Sequence, residues 1–296
     1  MKVLVTGAAG RLGSCVCRLL TEANVELLAV DKYPDTEAEY PVRVVDLLDA
    51  NACSELLEGV DALVHFANHT NWESDTPDKI YRENGTMNMN LFQSAENAGC
   101  KRIVFASSVQ VMDGQLPIGD RSQHPNFLPY IPMDSDMPAN PRNAYALSKQ
   151  AAESTLEYFS QNKKMTCVVI RFPLLMDSAM LKTTVGNGGM ERVNCYDGFT
   201  YLPIYSGAEA AVKAMTAELE GYHCYFVASK DNLEQRPTLE IIEGELAHLP
   251  CEKPIEEMDS LVDCSIVEAE IGWIQPQSLK ESYKKYCEFE RVRSYV

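Results

Sequence analysis

Eight residues near the N-terminus, Thr6-Gly-Ala-Ala-Gly-Arg-Leu-Gly13, constrain this chain more than any other stretch. They follow a short apolar run, Val3-Leu4-Val5, and lead into a helical pattern over Leu12–Thr21. A buried strand thus enters a tight glycine turn that opens a helix. Gly7 permits the turn. Gly10 leaves the backbone uncovered, so a pyrophosphate can approach it, with Ala9, Arg11 and Leu12 alongside. Gly13 lets the helix lie close on the strand. The free N–H groups at the helix start then face the phosphates. The next apolar strand ends on an acid, Leu27-Leu28-Ala29-Val30-Asp31. A carboxylate there accepts hydrogen bonds from both ribose hydroxyls of an adenosine and repels a 2′-phosphate. Lys32 follows but can swing into water. Together these signals predict NAD, rather than NADP, as cofactor.

Strand and helix patterns alternate through the first 170 or so residues. Apolar strands are expected at Val3–Thr6, Leu27–Val30, Arg43–Asp46, Ala62–Phe66, Ile103–Ala106 and Cys167–Arg171. Helical stretches such as Asp78–Ala98 and Ala144–Gln161 lie between them. Near-continuous apolar strands separated by helices argue for a parallel sheet covered on both faces. The expected fold is α/β: a Rossmann-type doubly wound parallel sheet with a small C-terminal substrate-binding lobe. Residues 1–172 would form the cofactor domain with the catalytic residues, and 173–296 a smaller substrate-binding region interleaved with it. Thr183–Thr200 is polar and holds four glycines, which predicts a mobile loop. A helix is expected at Ala208–Leu219, a strand at Cys224–Ala228 and a helix at Leu239–Ala247.

The surface balance excludes several classes of partner. The chain carries 43 acids against 26 bases, a net charge of −17. Such a surface disfavours nucleic acid and anionic membranes. No apolar run has transmembrane length, and the N-terminus enters a strand directly, so no signal peptide is expected and a cytoplasmic location is. Ten cysteines are scattered without a C-x-x-C pair. They read as free buried thiols, with no metal site.

Chemistry enters with Tyr145-Ala-Leu-Ser-Lys149. Four residues apart on a helix is one turn, so phenol and ammonium share a face. The lysine charge is expected to favour the phenolate and lower the tyrosine pKa. A tyrosine so placed can take a proton from an alcohol as hydride leaves the same carbon. The strand before that helix reads Phe105-Ala106-Ser107-Ser108. Its terminal hydroxyl can either bond a reacting oxygen or cap a turn.

The glycine turn, the Y-x-x-x-K pair and the strand-end serines together resemble the short-chain dehydrogenase/reductase superfamily. The T-G-x-x-G-x-x-G spacing is similar to that of its extended branch, the NAD-dependent epimerase/dehydratase family. The resemblance implies a catalytic set of Ser108, Tyr145 and Lys149, with Lys149 also on the cofactor ribose. Asp46-Leu47 matches an acid–apolar pair that contacts adenine. Asp61-Ala-Leu-Val-His-Phe66-Ala67-Asn68 resembles the D-x-x-x-H-x-A-A strand that lines the cofactor, with His65 read as a satisfied core histidine. Asn84 matches the active-site asparagine by its distance from Gly99, and Ala106 adjoins the serines. Arg171-Phe172-Pro173 resembles the R-x-P segment beside the nicotinamide. Asp263 to Pro276 resembles the C-terminal helix-and-turn signature of the same branch. A homodimer or other homo-oligomer is expected.

Departures bear on the substrate. Dehydratases carry Asp-Glu after the active-site hydroxyl, where this chain has Val109-Gln110, so an ordinary dehydratase lacks its acid and base. The usual Y-G-P-G is replaced by Leu175-Met-Asp177, and the usual V-D-D by Tyr205-Ser-Gly207. Arg142, Arg192 and Arg236 are the arginines that could clamp a diphosphate. The short substrate half also resembles the uronate dehydrogenases, whose Asn-His is again Val109-Gln110 here. Ser107, Ser108, Gln110 and Arg192 are the candidate substrate residues. The expected activity is hydride transfer between a sugar or sugar-derivative hydroxyl and the nicotinamide. Three outcomes stay open: an epimerase, a uronate-dehydrogenase-like enzyme releasing NADH, or an NAD-binding sensor without turnover.

Overall fold

In the computed structural model, residues 1–71, 73–112, 128–190 and 199–293 are described. Seven strands form one sheet: β1 (Lys2–Thr6), β2 (Glu26–Asp31), β3 (Val42–Val44), β4 (Ala62–His65), β5 (Arg102–Ser108), β6 (Thr166–Phe172) and, from the C-terminal half, β9 (Tyr222–Phe226). Their order is β3-β2-β1-β4-β5-β6-β9, and every pairing is parallel. The order reverses direction beside β1, between β1 and β4. A doubly wound sheet opens its ligand crevice at the strand carboxyl ends at such a point. A separate two-stranded parallel ribbon pairs β7 (Leu174–Met176) with β8 (Tyr201–Pro203).

Alternation along β1 explains why both faces are covered. Val3 and Val5 point into one apolar layer with Leu12, Val16 and Leu20 of α1 (Arg11–Glu22) and Ala208 and Ala211 of α6 (Ile204–Thr216). Leu4 points into the other, with Leu56 of α2 (Ala50–Leu56), Leu91 and Phe92 of α3 (Pro77–Asn97), and Leu156 and Phe159 of α4 (Ala144–Lys163). Successive strand residues face opposite sides, so an all-apolar strand needs helices on both. Each Val, Leu or Phe side chain so buried stabilises the fold by about 1.5–3 kcal/mol.

The C-terminal half differs from the expected loop-rich pattern. α5 (Ser178–Asn187) is capped by Asp177, whose side chain accepts the Met180 N–H at 2.9 Å, and it buries Leu181 and Thr184. Thr183–Asn187, expected within a mobile loop, is therefore helical; Gly188 ends the helix at φ 74°. Residues 191–198 of that expected loop, Arg192 among them, lie outside the described residues. The remaining α-helices among the described residues are α7 (Thr238–Glu243), α8 (Ser265–Ile271) and α9 (Leu279–Arg293). Just after α8, Trp273 is fully buried and donates its indole N–H to the Ser206 carbonyl at 3.0 Å, locking α8 to α6. No helix among the described residues is long and apolar enough to cross a membrane.

Candidate active site

A cavity of 1090 Å³ runs along the carboxyl ends of β1, β2, β4, β5 and β6. Its middle is the glycine turn: Gly7, Ala9, Gly10, Arg11, Leu12 and Gly13 all line it. Two glycines are sterically obligatory here. Gly7 sits at φ +73° with the Ala67 N–H so close that an added Cβ would lie 2.9 Å from it. A Cβ on Gly13 would lie 2.0 Å from the Gly7 carbonyl oxygen, so α1 could not approach β1. Gly10 is the N-cap of α1 and offers the first helical N–H groups no side-chain acceptor. Those donors, with the positive end of the helix dipole, suit a pyrophosphate.

One end of the cavity is acidic and partly apolar. Asp31, Lys32, Tyr33, Asp35, Asp46 and Leu47 line it. The Asp31 carboxylate is held in place: Oδ2 accepts the Ala9 N–H at 3.0 Å and Oδ1 the Tyr33 N–H at 3.2 Å. Tyr33 and Asp35 follow Asp31 so closely that the strand-end signal could have flagged them. Arg11 leans across to the C-terminal half, where its guanidinium meets Asp177 at 3.4 Å.

The other end gathers the chemistry. Ser108, Gln110, Tyr145 and Lys149 line it, with Phe66, Ala67, Asn68, Ala106, Phe172 and Pro173. α4 carries Tyr145 and Lys149 from its first two turns, and Asn143 caps that helix by accepting the Ala146 N–H at 2.8 Å. Lys149 Nζ donates to Asn68 Oδ1 at 2.9 Å and the Ala106 carbonyl at 2.7 Å, and lies 4.6 Å from the Phe105 ring centroid. Ser108 accepts the Gln110 N–H at 3.2 Å, so it caps the 3₁₀ turn Val109–Val111 while facing the cavity.

The electrostatics correct one expectation. Burial pushes the Tyr145 phenol up to about 12, and a hydrogen bond from Ser108 pulls it back. Lys149 does not lower it: the ammonium lies 5.7 Å from the ring centroid, and two of its three N–H groups are directed to Asn68 and Ala106. Burial pulls Lys149 itself down to about 7, against the Glu153 carboxylate. In the low dielectric of this site, desolvation outweighs a charge not aimed at the phenol.

Two further expectations change. Asn84 is fully buried but does not line the cavity. It sits on the face of α3 that packs on α4: Nδ2 donates to Ser148 Oγ at 2.9 Å, and Oδ1 accepts the His69 N–H at 2.8 Å. Ser107 lies at the cavity wall, but its hydroxyl donates to Glu153, which leaves Ser108 as the serine hydroxyl for a reacting oxygen. His65 is a satisfied core residue, bonded to Thr6 Oγ1 at 2.7 Å and Asn88 Oδ1 at 2.9 Å. Burial pushes it down to about 3, so it stays neutral. The cavity also takes in His69, Glu83 and Ile204, which no sequence motif marked. His69 and Glu83 meet at 2.9 Å, fastening the loop after β4 to α3.

The profile of one family matches residues 3–176, more than half of the chain. The chain belongs to the NAD dependent epimerase/dehydratase family. Relatives at the sequence level include the NAD-dependent glucose-6-phosphate dehydrogenase of Haloferax volcanii, 28% identical over 57% of this chain and 66% of that protein. The uronate dehydrogenase of Pseudomonas syringae pv. tomato is 28% identical over 65% of this chain and 67% of its own. The UDP-glucose 4-epimerase of Azospirillum brasilense is 28% identical over 58% and 48%. The matched segment thus spans from about half to two thirds of these relatives. Among solved folds, an NAD-bound short-chain dehydrogenase/reductase superfamily protein from Agrobacterium tumefaciens superposes with TM-score 0.71 at 19% identity, over 99% of this chain and 98% of that one. A Thermotoga maritima UDP-glucose 4-epimerase superposes with TM-score 0.72 at 18% identity, over 99% of both.

Proposed function

We propose that this chain is an NAD-dependent enzyme that moves hydride between a sugar-like hydroxyl and the nicotinamide. One observation carries the reading: Ser108, Tyr145 and Lys149 share one end of a cavity whose middle is the bare glycine turn and whose other end is Asp31. Asp31 would take the adenosine ribose, Asp46 and Leu47 the adenine, and the α1 N–H groups the pyrophosphate. NAD, when bound, supplies the redox step. The protein's own part is proton handling and orientation. A phenol pushed to about 12 stays protonated at neutral pH. Tyr145 would therefore give its proton to the oxygen of a carbonyl undergoing reduction; in the oxidation direction the phenol must first release that proton to solvent before it accepts the one from the hydroxyl, while Ser108 holds the oxygen. Residues 1–172 would supply the cofactor site and these catalytic groups, and 173–296 much of the substrate surround, with Arg192 its candidate ligand.

Within this reading, one feature favours a sugar acid or free sugar over a nucleotide sugar. Arg236, a candidate diphosphate clamp, is already bound to Glu234, Glu240 and Glu245 at 2.6–3.1 Å. Gln110 offers a donor instead. The Ala146 N–H can only donate, so Asn143 Oδ1 faces it; Asn143 Nδ2 then donates to Gln110 Oε1 at 3.0 Å. That leaves the Gln110 N–H₂ for an acceptor on the substrate, such as a carboxylate. Self-association into a homodimer would use α3 and α4, which pack together and leave Tyr81, Met89, Leu147 and Tyr158 exposed. Nine free cysteines among the described residues accord with a cytoplasmic setting.

The test is a panel of uronic acids, aldoses and nucleotide sugars incubated with NAD, following NADH absorbance and sugar products together. NADH released in step with one oxidised sugar makes it a dehydrogenase. An epimer without net NADH makes it an epimerase. NAD binding with neither product across the panel sinks the catalytic reading and leaves a sensor.

A further inference from the structure

Beneath the catalytic end of the cavity, one carboxylate joins three elements. Glu153 lies one helical turn after Lys149 on α4. Its Oε1 accepts the Ser107 hydroxyl of β5 and Arg171 Nε of β6 at 3.1 Å, and its Oε2 accepts Arg171 Nη2 at 2.7 Å. Arg171 Nη1 donates in turn to the Met137 carbonyl at 2.7 Å. Both charged side chains are nearly sealed, at 8% and 6% exposure. A buried ion pair is a poor way to gain stability, because desolvating two charges offsets most of their attraction. Its placement suggests another use. Ser107 stands between Ala106, whose carbonyl holds Lys149, and Ser108. Arg171 immediately precedes Phe172 and Pro173, which line the cavity.

We propose that Glu153 is a positioning residue for the catalytic set: by gripping Ser107 and Arg171 at once, it fixes the ends of β5 and β6 against α4. The proposal rests on the reading of Ser108, Tyr145 and Lys149 as the catalytic groups. Among the described residues, the groups around the pair are few. Lys149 is faced by Tyr145 on its own helix, by Asn68 and the Phe105 ring, and by neutral His65 of β4. Glu153 is faced by Arg171 and Ser107, and by Tyr222 and Cys224 of β9, whose ionisation burial suppresses. Glu153 is thus the carboxylate that opposes the loss of the Lys149 proton.

Three variants separate this from a structural role. Competitive acetylation of Lys149 with acetic anhydride, read by mass spectrometry from pH 5 to 9, reports its titration midpoint without cofactor or substrate. Glu153→Gln should lower that midpoint by about one unit, a tenfold change in the ammonium-to-amine ratio. If Arg171, left unpaired, prevents that variant from folding, Glu153→Gln combined with Arg171→Gln should lower the midpoint in the same direction but by less, since the lost Arg171 cation offsets part of the lost carboxylate. Ser107→Ala cuts the β5 tether alone; it should keep the midpoint, lower turnover on a sugar from the panel about tenfold, and leave NADH affinity within about threefold. An unmoved midpoint in a folded Glu153 variant, or full turnover in Ser107→Ala, overturns the proposal. Absence of NADH binding by the unmodified protein would instead refute the cofactor reading, and the labelling result would still stand by itself.

Discussion

Replacing Lys149 by methionine should make the protein less active and remove a pH dependence from its stability. Lys149 is 3% exposed, and burial moves its pKa from 10.5 to about 7. The folded-state value is depressed for a base, so the folded protein sheds a proton that the unfolded chain still holds between those two pH values. Stability therefore rises with pH across that window. Below pH 7 both states are protonated and the full penalty applies, about 5 kcal/mol at about 1.4 kcal/mol per unit. Above pH 10.5 both are neutral and it vanishes. Methionine keeps the apolar stem and never charges. It also leaves Asn68 Oδ1 and the Ala106 carbonyl without the lysine's hydrogen bonds, an offset that does not vary with pH. The difference between the two proteins is thus the clean quantity. From pH 7 to pH 9 the unmodified protein should gain about 2–3 kcal/mol on Lys149→Met. Urea unfolding of the cofactor-free proteins at both pH values measures this. Parallel stabilities at pH 7 and pH 9 would refute the idea that Lys149 is a desolvated, strained cation.

Other outcomes follow from the same geometry. Tyr145→Phe keeps the ring and removes the proton, so turnover should fall on the order of 10²–10⁴ with little change in NAD affinity; full activity would show that Tyr145 is not the acid/base. Asp31→Ala should narrow the preference for NAD over NADP about tenfold in calorimetric titrations, and tighter binding of NADP by the unmodified protein would contradict the assignment. Gly13→Ala places a Cβ 2.0 Å from a backbone oxygen, which the chain can relieve only by moving α1 off β1. That variant should lose about 1–3 kcal/mol of stability, together with NAD binding; a native melting temperature with normal cofactor affinity would show that the close approach is dispensable.

Local chemistry explains which features are legible in the amino-acid sequence by itself. The glycine turn, the alternation of apolar strands with helices, Asp31 at a strand end and the Tyr145–Lys149 pair all depend on neighbours within one turn or one strand. Sequence spacing reports such relations directly, and twenty of the candidate site residues come together in one cavity. Asn84 had the right spacing but the wrong face: packing of α3 on α4 directs it to Ser148 and His69, and spacing says nothing of which neighbour a helix meets. Ser107 and Ser108 are adjacent and chemically identical, yet a carboxylate from another element takes one and leaves the other to the cavity. The pKa expectation failed for a related reason. Sharing a helix face brings Lys149 near Tyr145, but desolvation is a property of the whole enclosure, and here it dominates both groups. Glu153 shows the division most clearly. In sequence it is one more glutamate on a helix; only the folding of β5 and β6 against α4 turns it into a buried link among three elements, because partners 18 and 46 residues away in the chain meet it only once the sheet has set their distance.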